Sequence, residues 1–63
     1  MLDEAIEKLR LDNETVKILK RNKIVKVRQL TNKTKTKLKE LGLAGYQISE
    51  IEIKLQLEGF DLK

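Results

Sequence analysis

The chain contains no cysteine, histidine, proline or tryptophan, and only 3% of it is aromatic. Without cysteine there is no disulfide and no thiolate metal ligand; without histidine the usual general base and the commonest remaining transition-metal ligand are gone. Aspartates and glutamates remain, but nothing in their spacing pairs them in a cleft. The sequence therefore predicts a non-catalytic chain with no metal and no cofactor. The scarcity of aromatics leaves Tyr46 as the one base-stacking side chain near a plausible surface, which argues against a reader of single-stranded RNA. No apolar run approaches the ~20 residues of a membrane span, and Asp3-Glu4 does not fit a secretory signal. A soluble, cytoplasmic protein is expected. No proline, linker or low-complexity run divides the chain, so residues 1–63 are expected to form one domain. A domain of this size buries only roughly 60% of the surface its unfolded chain exposes, too little for a deep enclosed site.

What is present is charge, and it is segregated. Between Lys17 and Lys39 lie ten cations and no Asp or Glu, whereas the segments on either side each carry a net charge of −3, within a total of +4. A block of this kind sets up a one-sided positive field suited to a polyanion or an acidic protein surface. The simpler reading is a solvated face supplied by lysine, although such faces normally intersperse both signs.

Apolar periodicity gives a succession of short helices. Leu2, Ile6 and Leu9 recur at helical spacing, with Asp3 placed to cap and Glu4 and Glu7 at the favoured end of the dipole. Asp12 or Asn13 caps a helix to about Asn22, with Val16 and Leu19 inward and Ile18 widening the stripe. Asn22-Lys23 is its exit, asparagine being tolerant of the left-handed conformation. Ile24, Val27 and Leu30 give one or two turns beginning near Lys26. Thr34 opens another short helix through Leu38 to Leu41, with lysines in its first turn against the dipole. Gly42 to Gly45 makes a turn into a terminal helix from Gly45 or Tyr46 to Glu58, lined by Ile48, Ile51 and Leu55 and stopped at Gly59. Phe60 and Leu62 can fold back on the core. The expected fold is all-α, a compact bundle of four to five short helices.

Ile6-xx-Leu9-x-Leu11, Leu19-Lys20-Arg21, Ile24-xx-Val27-xx-Leu30-xxx-Thr34-xxx-Leu38, then Leu43, Glu50-Ile51, Leu55 and Gly59-Phe60-x-Leu62 resemble the C-terminal domain of the bacterial RNA polymerase alpha subunit. The similarity runs from about Ile6 to Leu62, mostly at apolar positions. It implies a SAM-like fold containing a helix-hairpin-helix-like unit, which in that family binds the DNA minor groove at A/T-rich promoter elements and docks transcription regulators. Both an excised alpha-subunit domain and a free-standing relative, in a bacterial or phage-infected cell, fit this resemblance.

At the family's DNA contacts the chain departs from the pattern. The minor-groove arginine falls on Glu14, the asparagine one turn later on Lys17 and the small residue beside it on Ile18. The family's Asn-Leu-Gly-Lys-Lys-Ser hairpin falls on Gly42-Leu43-Ala44-Gly45-Tyr46-Gln47, where only Leu43 matches, and the downstream glutamate is Glu50. A narrow, negative minor groove attracts Arg or Lys and repels Glu14. The resemblance and the charge together then predict binding to duplex DNA mainly through backbone phosphates. The expected contacts are the side chains of Lys17, Lys20 and Arg21 and the backbone amides at Ala44, Gly45, Tyr46 and Gln47.

A second surface is expected on the terminal helix. Ile53 and Leu57 stand opposite Ile48, Ile51 and Leu55, since two residues beyond Ile51 is about 200° around the helix. Either the N-terminal segment, with Leu2 and Ile6, covers them, or they form a stripe for protein docking or homodimerisation. The alternative to DNA binding is thus a protein-interaction adaptor of the same fold, with RNA polymerase or transcription regulators as partners.

Overall fold

The computed structural model describes residues 2–63. A short 3-10 helix at Ile6–Leu9 precedes four α-helices, α1 (Asn13–Arg21), α2 (Val27–Thr31), α3 (Lys35–Glu40) and α4 (Gly45–Leu57). Among the described residues there is no strand, only an isolated antiparallel bridge between Ala5 and Lys26. The bundle is all-helical, with a radius of gyration of 10.0 Å.

The core is aliphatic and drawn from every element. Ile6, Leu9, Leu11, Leu19, Ile24, Val27, Leu30, Leu38, Leu43, Ile48, Ile51 and Leu55 are buried together. Helices of five and six residues, such as α2 and α3, are far below the length at which an isolated helix persists in water. Burial of Val27 and Leu30 from α2 and of Leu38 from α3 therefore holds them in place. Phe60 and Leu62 pack back against the cluster, as expected from their alternation beyond Gly59.

Local chemistry sets the helix boundaries, not always with the expected residue. Thr34 caps α3 as anticipated, its Oγ1 accepting the Lys37 N–H at 3.0 Å. Asp3 does not cap; it faces Arg28, and Ala5 precedes the 3-10 helix instead. After α1 the left-handed residue is Lys23, at φ 62°, while Asn22 stays at φ −97°. Asn22 uses its amide differently, donating to the Ile18 carbonyl at 2.8 Å and to the Leu41 carbonyl at 3.5 Å. At α2 the cap comes from three residues inside the helix. Gln29 Oε1 accepts the N–H groups of Val25 and Lys26 at 2.8 and 2.9 Å, and its Nε2 donates to the Lys23 carbonyl.

Both chain ends are fastened beside α2. The N–H of Val27 donates to Glu4 and that of Arg28 to Leu2, each at 2.9 Å, while the N–H of Lys63 donates to the Lys33 carbonyl at 3.0 Å. The segment before the 3-10 helix is thereby carried to α2, and although the 3-10 helix packs on α4 it does not bury the outer face of that helix. Ile53 and Leu57 remain 55% and 75% exposed.

Candidate nucleic-acid interface

The side chains expected to meet phosphates lie on the outer face and last turn of α1. Lys17, Lys20 and Arg21 are all exposed, and Lys20 and Arg21 sit at the helix end where the dipole favours cations. Lys17 is 3.7 Å from the Glu14 carboxylate, and Lys20 pairs with Glu7. Of the three, Arg21 alone has no carboxylate partner among the described residues.

This pairing extends across the cationic block. Arg28 makes two hydrogen bonds to Asp3, Lys35 meets Glu52 at 3.2 Å and Lys37 meets Glu40 at 3.9 Å. Five of the ten cations thus have a carboxylate neighbour, and every one of those carboxylates comes from the acidic flanks. Segregation along the chain is partly undone in space. Arg21, Lys23, Lys26, Lys33 and Lys39 keep no such partner among the described residues, Lys26 donating instead to the Asp3 backbone carbonyl. Surface pairs like these are exchangeable, because an exposed ion pair contributes at most about 1 kcal/mol and a phosphate can replace the carboxylate.

The turn between α3 and α4 is built around Gly42, whose φ of 104° suits a residue without Cβ. Leu43 then drops into the core, 3% exposed. Ala44 is extended and α4 begins at Gly45. The Asn22 bond to the Leu41 carbonyl links the C-terminal end of α1 to the start of this turn.

Not all four amides of Ala44 to Gln47 face outward. The Ala44 N–H donates to the Gln47 side chain at 2.8 Å, and the Gln47 N–H donates to the Ala44 carbonyl at 3.0 Å. Gln47 is 4% exposed, so its side chain closes the turn from inside. Ala44 has no side-chain acceptor with which to complete a reciprocal capping box. The amides of Gly45 and Tyr46, the first two of α4, have no intrahelical acceptor, as at any helix start.

Two further lysines, Lys35 and Lys39, share a cleft with the start of α4. Lys35, Thr36 and Lys39 from α3 and Gly45, Ile48, Ser49 and Glu52 from α4 line an open cleft of about 250 Å3. Lys39 is exposed there without a carboxylate partner among the described residues, beside the start of α4. Its four-residue spacing from Lys35 placed both on one face of α3 in the sequence. Which helix that face would meet was not readable locally.

Glu50 serves the fold. Its two oxygens accept the Thr15 hydroxyl at 3.1 Å and the Asp12 N–H at 2.9 Å, joining α4 to the start of α1. Among the described residues no cluster of His, Cys, Asp or Glu could hold a metal ion, and no helix is long and apolar enough to cross a membrane. Compared with known protein families and with curated proteins, the chain matches none.

Proposed function

We propose that this domain binds duplex DNA through its phosphate backbone, as a non-catalytic, transcription-associated module resembling the C-terminal domain of the bacterial RNA polymerase alpha subunit. The observation that carries the reading is the acid-free block from Lys17 to Lys39, of which Arg21, Lys23, Lys26, Lys33 and Lys39 have no carboxylate partner among the described residues. In support, Asn22, next to Arg21, reaches the Leu41 carbonyl at the start of the α3–α4 turn, and Lys39 lines a cleft with Gly45 at the start of α4. Phosphates bridging these groups would be held without reading bases, because Glu14 stands exposed where the resemblance places a minor-groove arginine. In this reading the protein works in the bacterial or phage-infected cytoplasm and needs no cofactor.

Fluorescence anisotropy on a labelled duplex, titrated with salt, tests the proposal. Affinity should fall by about 0.9 log units per log unit of salt for each phosphate neutralised, with little difference between A/T-tract and mixed sequences. Absence of binding at low salt would sink it. A second reading, a protein-interaction adaptor docking RNA polymerase or a transcription regulator, is favoured by the exposure of Ile53 and Leu57 on α4. Loss of regulator binding in Leu57→Glu with DNA affinity unchanged would support that reading.

A further inference from the structure

Along the outer face of α4, Tyr46, Glu50, Ile53 and Leu57 follow one another at spacings of four, three and four residues, the register of a helix–helix seam. The three apolar members are 72%, 55% and 75% exposed. Glu50, the polar member, is drawn aside toward α1 by Asp12 and Thr15.

Charges around this stripe are polarised by position. At its C-terminal end Lys8, Arg10 and Lys54 surround Leu57 in a groove floored by Leu9, with Glu58 the one acid. Three residues before Ile53 stands Glu50, and the Asp12 backbone is bonded to it. None of Lys8, Arg10, Lys54, Asp12 or Glu50 has an ion-pair partner among the described residues, although five pairs form elsewhere in this small chain. One end of the stripe therefore carries unpaired cations and the other unpaired carboxylates, on either side of an exposed isoleucine.

We propose that this face is an interface between two copies of the chain, with α4 of one copy antiparallel to α4 of the other about a two-fold axis near Ile53. A two-fold interface must be self-complementary. Antiparallel pairing about Ile53 meets that requirement, because it sets the Lys54 and Arg10 end of each copy against the Asp12 and Glu50 end of the other. Leu57 then lies over the methylenes of the opposite Glu50, and the two Ile53 side chains meet at the axis. Parallel pairing would set like charges together at both ends. A contact made mainly by one helix from each chain is at the small end of specific interfaces, so the dimer forms in the high-micromolar range. The inference does not depend on DNA binding; Tyr46, near the turn, lies at its margin.

Sedimentation of the full chain from micromolar to millimolar concentration, at moderate salt to screen the net charge of +4, tests the proposal. The wild type should pass from monomer to dimer. Ile53→Glu should raise the dissociation constant at least about tenfold. Lys54→Glu and Asp12→Lys, each alone, should weaken the dimer in the same way. Mixed in equal amounts, those two charge variants should regain part of it, since the reversed pair between positions 54 and 12 is attractive again. Asp12 makes no side-chain capping bond, and Lys54 makes no ion pair among the described residues, so both variants should fold, as circular dichroism would verify. A wild type that stays monomeric throughout, single charge variants that dimerise as well as the wild type, or a mixture that regains nothing would each overturn the proposal.

Discussion

Glu50 accepts the hydroxyl of Thr15, a side chain with no solvent exposure, across 35 residues of chain. Removing the carboxylate leaves that hydroxyl buried without a partner, at a cost of about 1–3 kcal/mol. Glu50→Ala should lose stability in that range by urea unfolding. Thr15→Val removes the need for a partner, so Glu50→Ala made in a Thr15→Val background should cost clearly less. Equal costs in the two backgrounds would show that the contact carries no energy.

The two glycines of the α3–α4 turn should respond in opposite directions. A Cβ at either would meet no heavy atom within 4 Å, so backbone conformation decides. Gly42 is at φ 104°, and Gly42→Ala should destabilise by about 1–2 kcal/mol. Gly45 is the first residue of α4 and is not among the glycines with positive φ. Gly45→Ala should be stabilising by about 0.4–1 kcal/mol, chiefly through the unfolded chain. Thermal melts of the two variants check this directly.

Charge reversals should sort the cations by their existing partners. Arg21→Glu and Lys39→Glu remove groups without carboxylate neighbours and should weaken duplex DNA binding most, each lowering the salt slope by about one phosphate. Lys37→Glu changes a residue already 3.9 Å from Glu40, and it should matter less. Anisotropy at two salt concentrations distinguishes them, and equal effects would place the site elsewhere.

Acid should weaken the attachment of the N-terminal segment. The Arg28 hydrogen bond and charge hold the Asp3 carboxyl below its ordinary range, and the Lys20 hydrogen bond does the same for Glu7. Carboxyls of this kind favour the folded chain above their unfolded-state pKa of about 4, and that contribution is lost as pH falls through the lower folded-state value. The melting temperature should therefore be level near neutrality and fall below about pH 4. Asp3→Asn with Glu7→Gln should make that fall shallower. Both groups are exposed, so the difference is expected to be small.

Much of the fold was legible because helix starts and apolar spacing are local. Thr34 as a cap, Ile48, Ile51 and Leu55 as the inner face of α4, and Gly59 as its stop follow from neighbours within a turn or two. The partners of polar side chains are not local, and there the sequence misled. Asp3 reads as a cap until Arg28 arrives from 25 residues away. Asn22 reads as the left-handed exit until the Leu41 carbonyl offers its amide another bond and Lys23 takes the positive φ. Gln47 lies in the turn expected to hold a phosphate, yet its side chain spans the turn to the Ala44 amide. The cationic block was plain in the sequence, whereas its partial neutralisation by Asp3, Glu7 and Glu52 depends on how the ends fold over it.

The fastening of both ends beside α2 also determines how the chain could be rewired. Leu2 is bonded to Arg28 and Lys63 to Lys33, and a helical rise of about 1.5 Å per residue leaves the two ends separated by a distance on the order of 10 Å. A few glycines could join them, and the exposed turn at Gly42 could then be opened to give new ends. Such a permutant would keep every core contact while separating α3 from α4 in chain order. Whether the turn acts through its backbone or only as a connector could then be read from a protein with the same core and no α3–α4 connection.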